Sequence, residues 1–343
     1  MLKRLIIFFG LLLVVLVLLI TFADNYLIIN KPVVTKNLII EGWLPQYTIE
    51  RDLDPIGINN YSRIYITGIA GKFDTTFINK EKANNKNLIK IGSTMLTTNA
   101  TVYLTDFAIK KLNKKKVFNK ITIYSFGDTA FRMNAHYFVS LSDSVIGGTF
   151  SKTYSNPFKI NGKFYKKDLK LFNIFYDNDL SLSKNDRNLI IDSISFDNIV
   201  LNNEADFFSI PENTLPNGIR NYPFHSNAIY TKAYMKALGF KGELITIDTL
   251  YTDRNKTWAA AKQFAKFHKS GFSNEESINI LSFNYHSRRS FLTYKHVLPN
   301  AKIGIISLKN INDPKTNGYE SKTERILNIL DEYVSIVGNL FFN

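Results

Sequence analysis

The sequence predicts an α/β protein, with an open parallel sheet that is interrupted by an all-β sandwich and preceded by a membrane-spanning helix. Three observations predict this fold class. Strands alternate with helices near both ends of the chain, the middle carries short alternating stretches, and the N-terminus holds a long apolar run. With 343 residues, 45% of them hydrophobic and 21% charged, the chain can bury a sizeable core.

Cysteine content and net charge limit the possible chemistry. The sequence contains no cysteine, which excludes disulfides, thiolate zinc sites and cysteine nucleophiles. Its 43 Lys and Arg against 29 Asp and Glu give a formal charge of +14, which suits nucleic acid, an anionic membrane or an acidic polysaccharide. The basic cluster from Lys110 to Lys116 is either a solvated face or a patch for lipid headgroups or acidic glycans.

The N-terminal segment, residues 1–23, predicts a single transmembrane anchor. Leu5 to Phe22 is a run of 18 residues without a charge, and at about 1.5 Å per residue it nearly crosses a bilayer core of about 30 Å. Lys3 and Arg4 before it, with Asp24 after it, predict a cytoplasmic N-terminus and a periplasmic or extracellular remainder. A cleaved signal peptide is the alternative. Either interpretation exports the chain, so we expect no nucleic acid partner.

Residues 32–96 and 206–343 are predicted to form the two parts of the α/β domain. Strands and helices alternate in both parts, which indicates a parallel sheet with helices on its faces. The predicted strands are Val33–Glu41, Arg63–Gly68, Glu243–Asp248, Ile278–Phe283 and Lys302–Ser307, and the predicted helices are Gln46–Asn59, Asn255–Lys269, His286–Val297 and Ser321–Val337.

Residues 97–205 between these parts are predicted to form an inserted β-sandwich. The region lacks long helical periodicity and has short alternating stretches joined by Gly, Asn, Asp and Ser turns. These stretches are Thr101–Phe107, Lys120–Phe126, Ala135–Leu141, Asp168–Tyr176 and Leu189–Phe196. Insertion at an exposed loop is tolerated because the ends of a folded module usually lie close together.

One loop of this middle region concentrates oxygen-bearing side chains. Asp177 to Asn188 holds six Asp and Asn residues between two predicted strands. Such a loop can surround Ca²⁺, which takes six to eight oxygen ligands. The spacing does not fit an EF-hand, since Leu182 stands at its sixth position and Asn188 at its twelfth. The alternative is a polar turn whose side chains cap backbone groups.

The stretch from Lys120 to Asn198, with FYDND followed by DRNLIIDSISFDN, resembles the calcium-dependent xylan-binding type of carbohydrate-binding module. The resemblance implies a β-sandwich whose loop-bound Ca²⁺ coordinates vicinal sugar hydroxyls, with a polysaccharide or envelope glycan as the partner. It implies Asp179 and Asp186 as carboxylate ligands, Asn178 and Asn185 as weaker ligands, and Arg187 and Asn188 as residues that hold the loop or touch the glycan.

A second group of candidate residues follows the strands of the α/β domain. Ligands of open parallel sheets bind beyond the carboxyl ends of the strands. There the sequence places Glu41-Gly42-Trp43, Gly68–Gly71, Asp248 and the segment NYHSRR from Asn284 to Arg289. Such a rim suits an anionic group, because Arg can bind it with two hydrogen bonds and a helix N-terminus adds its dipole. The nucleotide motifs GxGxxG and the P-loop are absent, as are GxSxG and HExxH.

The same positions resemble the YdcF/SanA/ElyC-like family, also called the DUF218 domain. The resemblance rests on IIEGWLP, IYITG, DRNKTWAAA, YHSRRS and AKIGIIS, which occur in that order over residues 34–71 and 222–309. It implies a Rossmann-like domain associated with the bacterial envelope, often membrane-anchored and of poorly defined activity. It implies a catalytic or binding site at Glu41, His286, Arg288 and Arg289.

Three functional hypotheses follow from the sequence. The first is a membrane-anchored envelope protein that binds polysaccharide through Ca²⁺. The second is a hydrolase or transferase that acts on an anionic saccharide or lipid-linked precursor at the rim containing Glu41, His286 and Arg288. The third is a structural envelope protein without the metal. Only an enzyme needs a group with a tuned pKa beside the bond that breaks.

Overall fold

The structure is a computed structural model of the chain. It describes residues 2–44, 46–54, 56–73, 76, 80, 95–96, 100–112, 115–130, 133–142, 144–152, 154, 156–182, 185–211, 219–220, 224–252, 255–271, 277–308 and 322–341.

The helices and strands of the described residues are numbered in chain order. The α-helices are α1 (Leu2–Thr21), α2 (Ala23–Leu27), α3 (Gln46–Asp52), α4 (Asp106–Lys111), α5 (Asn227–Ala237), α6 (Lys256–Gly271), α7 (His286–Val297) and α8 (Lys322–Phe341). The 3₁₀ helices are Ile58–Asn60, Lys166–Leu171 and Glu204–Asp206. The strands are β1 (Asn37–Glu41), β2 (Arg63–Ile69), β3 (Lys72–Phe73), β4 (Met95–Leu96), β5 (Ala100–Leu104), β6 (Val117–Gly127), β7 (Thr129–Ala130), β8 (Met133–Asn134), β9 (His136–Leu141), β10 (Ser144–Phe150), β11 (Asn156–Tyr165), β12 (Asn173–Tyr176), β13 (Leu180–Leu182), β14 (Asn185–Arg187), β15 (Leu189–Phe196), β16 (Ile199–Leu201), β17 (Phe207–Pro211), β18 (Ile219–Arg220), β19 (Glu243–Thr249), β20 (Ser277–Phe283) and β21 (Lys302–Leu308).

The chain divides into two compact units. The parallel-sheet unit consists of Met1–Ile69 and Phe240–Asn343, and the antiparallel unit consists of Ala70–Gly239. The antiparallel unit extends beyond the expected insertion of residues 97–205 on both sides. On the C-terminal side it includes α5. Tyr230 of this helix and Phe224, which precedes the helix, both lie edge-on to Phe138 of β9.

The parallel-sheet unit has five strands in the order β19-β2-β1-β20-β21, and all four pairings are parallel. The inner strands are apolar on both faces, as expected for a parallel sheet that helices cover. In β1, Leu38, Ile39 and Ile40 are all fully buried. Strand order reverses between β1 and β20, because the chain first builds outward from β1 through β2 to β19 and then returns to the other side of β1.

Helix α6 packs on this sheet through the stripe that its sequence period predicts. Trp258, Ala261, Phe264, Ala265 and His268 recur at intervals of three and four, which places them on one helical face. All five are buried, and Phe264 lies edge-on to Tyr65 of β2 at 5.3 Å between ring centres. The apolar face of α6 therefore fixes the position of its first turn relative to the sheet.

The antiparallel unit contains two sheets that share one core. One has the order β10-β9-β12-β5-β17, and the other has β11-β6-β15-β16 with β4 paired to β15. A single buried cluster draws from both sheets, for example Val102 and Ile174 from the first and Ile123 and Ile194 from the second. Strand β6 of the second sheet partly alternates buried and exposed residues, whereas β5, β9 and β12 of the first sheet are buried on both faces over almost their whole length.

Two predicted strands of this region are shorter than expected, and each is joined to a helical turn. Residues 101–107 leave the strand at Thr105, whose side chain accepts a hydrogen bond from Ala108 N and so begins α4. Residues 168–176 begin as the 3₁₀ helix Lys166–Leu171 and become β12 only at Asn173. At Thr105, the hydrogen bond between the side chain and the backbone favours a helix start, and strand propensity does not take such a local bond into account.

At the level of fold class, the prediction of an α/β chain with a parallel sheet and an antiparallel β region is confirmed. Within the part of the chain that the structure describes, no helix meets the combined length and apolarity of a membrane span.

Candidate active site

The candidate site lies where the carboxyl ends of β1 and β20 are neighbours. Leu38 pairs with Asn279 and Ile40 with Leu281, so Glu41 and Phe283 end adjacent strands at one edge. This is the point where the strand order reverses, which is the usual ligand position of an open parallel sheet. Asn284 then turns the chain with a left-handed φ of 44°, its N–H bonded to Leu308 O at 2.8 Å, and α7 begins at His286.

His286 is held at both ring nitrogens. Nδ1 lies 2.9 Å from Glu332 Oε1 of α8, and Nε2 lies 3.0 Å from Thr257 Oγ1 of α6. The ring of Trp43 stands edge-on to the imidazole at 4.5 Å between ring centres. Because His286 is only 9% exposed, these three contacts fix the orientation of its ring.

Arg289 shares the same carboxylate. Its Nη2 lies 3.2 Å from Glu332 Oε1 and 2.6 Å from His286 Nδ1. Burial by itself would raise the pKa of Glu332, but the hydrogen bond from His286 and the charges of His286 and Arg289 outweigh it and hold that pKa below its ordinary value. Glu332 is therefore an acceptor at neutral pH, and an ionised acceptor favours the tautomer with hydrogen on Nδ1.

This tautomer completes a relay of three side chains. Nδ1–H donates to Glu332, which leaves Nε2 free of hydrogen and able to accept the hydroxyl hydrogen of Thr257. The opposite tautomer would accept from Arg289 at Nδ1 and donate to Thr257 from Nε2, and it would forfeit the donation to Glu332. Because Arg289 Nη2 can only donate and lies 2.6 Å from Nδ1, the relay requires its hydrogens to turn toward Glu332 and away from the ring. A hydroxyl, an imidazole and a carboxylate in this order are the parts of a nucleophile, its base and the group that orients the base.

A cavity of about 280 Å³ opens beside the relay. Thr257 of the relay and Arg289, which binds Glu332, both line this cavity. The first turn of α6 contributes Lys256 and Trp258, and its backbone N–H groups give this end of a 16-residue helix a positive character. The remaining lining residues are Asn255, Asp331 and Ser335.

Glu41 belongs to a buried network next to this cavity. Its side chain is 2% exposed, and Ser290 Oγ lies 2.9 and 3.0 Å from its two carboxylate oxygens. Since the single hydrogen of Ser290 goes to Glu41, Ser282 donates to Ser290 at 3.0 Å. Burial, and then the charge of Glu41, raise the pKa of Tyr294, which keeps that phenol neutral. These contacts tie α7 to β1 and β20.

Arg288 points away from the cavity. Its guanidinium carbon stands 4.2 Å from the ring centre of Tyr26, and its Nε donates to Tyr26 O. Next to it, Ser287 accepts from Ile29 N at 3.0 Å and donates to Leu27 O at 3.2 Å. Successive residues of a helix face directions about 100° apart, so Arg288 and Ser287 hold α2 while Arg289 lines the cavity and His286 contacts Thr257 of its lining.

Of the four expected site residues, the structure places Arg289 in the cavity lining and His286 against Thr257 and Arg289 of that lining. It places Glu41 in the supporting network and Arg288 against α2. Sequence reasoning missed Thr257 and Glu332. Thr257 lies 29 residues before His286 and Glu332 lies 46 residues after it, so neither has a local spacing that marks it as a partner.

The oxygen-rich loop of the antiparallel unit is organised around an arginine. Arg187 is 1% exposed, and its guanidinium donates to Asn178 O at 2.7 Å and to Ala130 O at 2.9 Å. The side chain of Asn178 accepts from His136 N at 2.6 Å and donates to Asn134 O at 3.1 Å. A buried guanidinium on these carbonyls opposes a second cation at the same place.

Of the other expected calcium ligands and glycan-contacting residues in this loop, Asp179 and Asn188 have side chains that the structure describes. Asp179 is partly exposed, and Asn188 is buried with its Nδ2 donating to Asp128 Oδ2 at 2.9 Å. Asn185 and Asp186 lie on β14, which pairs with β13, and their side chains lie outside the described residues. Among the side chains that are described, no three of His, Cys, Asp or Glu converge as metal ligands. Calcium binding by this loop stays a prediction of the sequence, and the guanidinium of Arg187 on its carbonyls argues against it.

A scan against protein-family models, a search of curated proteins and a search of solved structures find no match to this chain.

Removing the Arg187 guanidinium should destabilise the antiparallel unit. Arg187→Met leaves the carbonyls of Asn178 and Ala130 buried without their donor, which should lower the free energy of unfolding by about 2–4 kcal/mol. Urea denaturation of the full chain measures this. Lys159→Met, which removes an exposed cation of the same unit, is the control and should change stability by less than about 0.5 kcal/mol. Equal effects of the two substitutions would contradict the role assigned to Arg187.

Calcium should leave the thermal unfolding midpoint unchanged. A bound ligand at about 100 times its dissociation constant adds about 2.7 kcal/mol of stability, which a melting curve readily detects. We expect the same midpoint in millimolar CaCl₂ and in EDTA, because Arg187 already occupies the carbonyls of this loop. A saturable increase that Asp179→Ala and Asp186→Ala both abolish would instead establish the calcium site.

Glu332 should contribute stability that is lost in acid. Its folded-state pKa is lower than the ordinary value of 4.5, so its contribution is fully present above that value and disappears as pH falls through the folded-state pKa. The stability difference between the wild type and Glu332→Gln should therefore be largest near pH 7 and shrink below about pH 4. Asp331→Asn, an exposed neighbour, is the control. A difference that does not change with pH would contradict the ionised pair.

Proposed function

We propose that the parallel-sheet unit is a hydrolase or transferase in which Thr257 is the nucleophile and His286 the general base. The observation that carries the proposal is the chain of contacts from Thr257 Oγ1 through both nitrogens of His286 to Glu332, at 3.0 and 2.9 Å. Such a hydroxyl is weak by itself and gains reactivity from an adjacent base that a third group orients. Glu332 and Arg289 are positioning residues in this scheme.

The proposed reaction has two balanced halves. In the first, Thr257 Oγ1 forms a bond to an acyl or phosphoryl centre while its proton moves to His286 Nε2, and Glu332 stabilises the imidazolium. The leaving oxygen takes that proton as its own bond breaks. In the second half, water or an acceptor hydroxyl gives its proton to Nε2 as it attacks the covalent intermediate. Thr257 then recovers the proton, and the free enzyme is restored.

The charges around the cavity favour an anionic substrate. Arg289 lines the cavity and is only partly engaged by Glu332, at 3.2 Å. Lys256 also lines it, is exposed, and has no carboxylate within 4.0 Å among the described residues. Together with the positive end of α6 these groups outweigh Asp331, the one acidic lining residue that the cavity has within the described chain. An ester or phosphoester that carries a further negative charge fits this arrangement.

We place this activity at the cell envelope on the basis of the sequence. The apolar run Leu5–Phe22 behind Lys3 and Arg4 supports a membrane anchor with the remainder of the chain outside the cytoplasm. Numbered along the chain, the order β19-β2-β1-β20-β21 is 3-2-1-4-5, which is the doubly wound Rossmann order without its sixth strand and supports the proposed relation to the DUF218 domain. An anionic saccharide or a lipid-linked precursor is the substrate class that such a location offers.

An alkyl fluorophosphonate should react at Thr257. The probe needs only an activated hydroxyl and so does not require the natural substrate. Attack by Oγ1 releases fluoride and leaves one phosphonyl group, which intact mass and peptide mapping would locate. We expect labelling to slow at least about 100-fold in His286→Gln and to disappear in Thr257→Val, since general base catalysis is typically worth 10²–10⁴-fold.

Two variants serve as controls for this experiment. His296→Gln removes an exposed histidine of the same helix, whose ring lies 5.1 Å from that of Trp258 at a tilt of 45°, and should label at the wild-type rate. Thr257→Ser keeps the hydroxyl and should retain labelling. Circular dichroism melting verifies that each variant is folded. Absence of label in the wild type, or an adduct that persists in Thr257→Val, would overturn the proposal.

A further inference from the structure

A second cavity, of about 430 Å³, lies on the antiparallel unit and is lined by four lysines. Lys116 precedes β6, and Lys166, Lys167 and Lys170 lie on the 3₁₀ helix that follows β11. A backbone hydrogen bond from Lys166 N to Lys116 O, at 3.0 Å, joins the two segments. We call this cavity the lysine pocket; Ile109 of α4 and Tyr165, the last residue of β11, complete its lining.

Three lysines of the pocket differ from neighbouring lysines in having no carboxylate partner among the described residues. Lys111 pairs with Asp206 and Lys115 with Asp197, each at 2.9 Å. In contrast, Lys116, Lys167 and Lys170 have no ion pair among the described residues, and Asp168 of the same 3₁₀ helix is not part of the lining. A cleft lined by one sign of charge focuses the field and raises the local concentration of ions of the opposite sign.

The shape of the pocket argues for a ring-bearing ligand over a flat membrane. Ile109 is 8% exposed, so the apolar floor is recessed, whereas a membrane-binding surface needs apolar side chains that protrude. Tyr165 is 43% exposed, and the ammonium groups of Lys163 and Lys167 stand 5.7 and 6.0 Å from its ring centre. A sugar ring that lies against Tyr165 therefore brings its substituents close to positive charge. The volume falls within the range of about 300–1,000 Å³ that is usual for small-ligand clefts.

We infer that the lysine pocket binds the uronate rings of an acidic polysaccharide. The carboxylates pair with Lys116, Lys167 and Lys170, and the ring faces pack on Tyr165 and above Ile109. Recognition of this kind needs no metal, and it uses residues apart from the oxygen-rich loop at Arg187. It also stands independently of the relay at His286, because the two sites share no residue.

The test is calorimetric titration of the full chain with an octamer of α-1,4-linked galacturonate. The methyl-esterified octamer, which has the same rings without charge, is the matched ligand control. Lys167→Gln combined with Lys170→Gln should weaken binding about tenfold, as expected for two exposed ion pairs. Lys159→Gln combined with Lys236→Gln removes the same charge from exposed positions outside the pocket and should leave the affinity unchanged.

Four outcomes decide the inference. Binding of the charged octamer that weakens between 50 and 500 mM NaCl and depends on Lys167 and Lys170 supports it. Equal loss in the two double variants would show attraction by net charge alone and would overturn it, as would equal binding of the esterified octamer. Pocket-dependent binding to phosphatidylglycerol vesicles without binding of the octamer would assign the pocket to a lipid surface instead.

Discussion

The pairing of β1 with β20 is the constraint on which the candidate site depends. It joins segments that are more than 200 residues apart in the sequence. Its register places Glu41, the last residue of β1, near the turn at Asn284. Parallel strands cannot be joined by a tight turn, so a long connection between them is unavoidable, and here the antiparallel unit lies within it. Everything at the carboxyl edge follows from this pairing, including the point at which α7 begins.

Helix α7 shows how one short element serves three purposes. Ser290 and Tyr294 face the sheet and the buried network of Glu41, and Ser287 and Arg288 hold α2. Arg289 lines the cavity, and His286 contacts Thr257 of its lining. Each face is fixed by polar contacts that are costly to leave unmade when buried. A base whose helix is held on two other faces has little freedom to rotate, and preorganisation of this kind is what catalysis by a relay requires.

Buried charge is handled differently in the two units. At the relay, the carboxylate of Glu332 meets a cation, Arg289, and a titratable ring, so its negative charge is stabilised within a partly open site. In the oxygen-rich loop, the guanidinium of Arg187 is fully enclosed, and both of its Nη atoms donate to main-chain carbonyls. The first arrangement can gain and lose a proton during a reaction, whereas the second fixes a loop, because a guanidinium does not titrate in proteins.

The sequence by itself determined the strands of the parallel-sheet unit, and in the antiparallel unit it located β5, β6, β9, β12 and β15. Periodicity and turn residues are local, and they gave the bounds of α7 without error and those of the sheet strands mostly to within a residue. It also placed His286 and Arg289 at a strand end, since position relative to a strand is a local property. The composition of the YDNDLSLSKNDR loop does not by itself decide its role, because calcium loops and polar turns are both rich in oxygen-bearing side chains.

Only the tertiary structure decided which distant residues meet. Thr257 and Glu332 carry no spacing signal, because their approach to His286 is set by how α6 and α8 pack, not by their separation along the chain. The same holds for Arg187, whose burial among carbonyls cannot be read from a charged residue in a polar loop. The lysine pocket likewise depends on one backbone contact between residues 50 positions apart. Local physics specifies elements, and long-range packing specifies the chemistry between them.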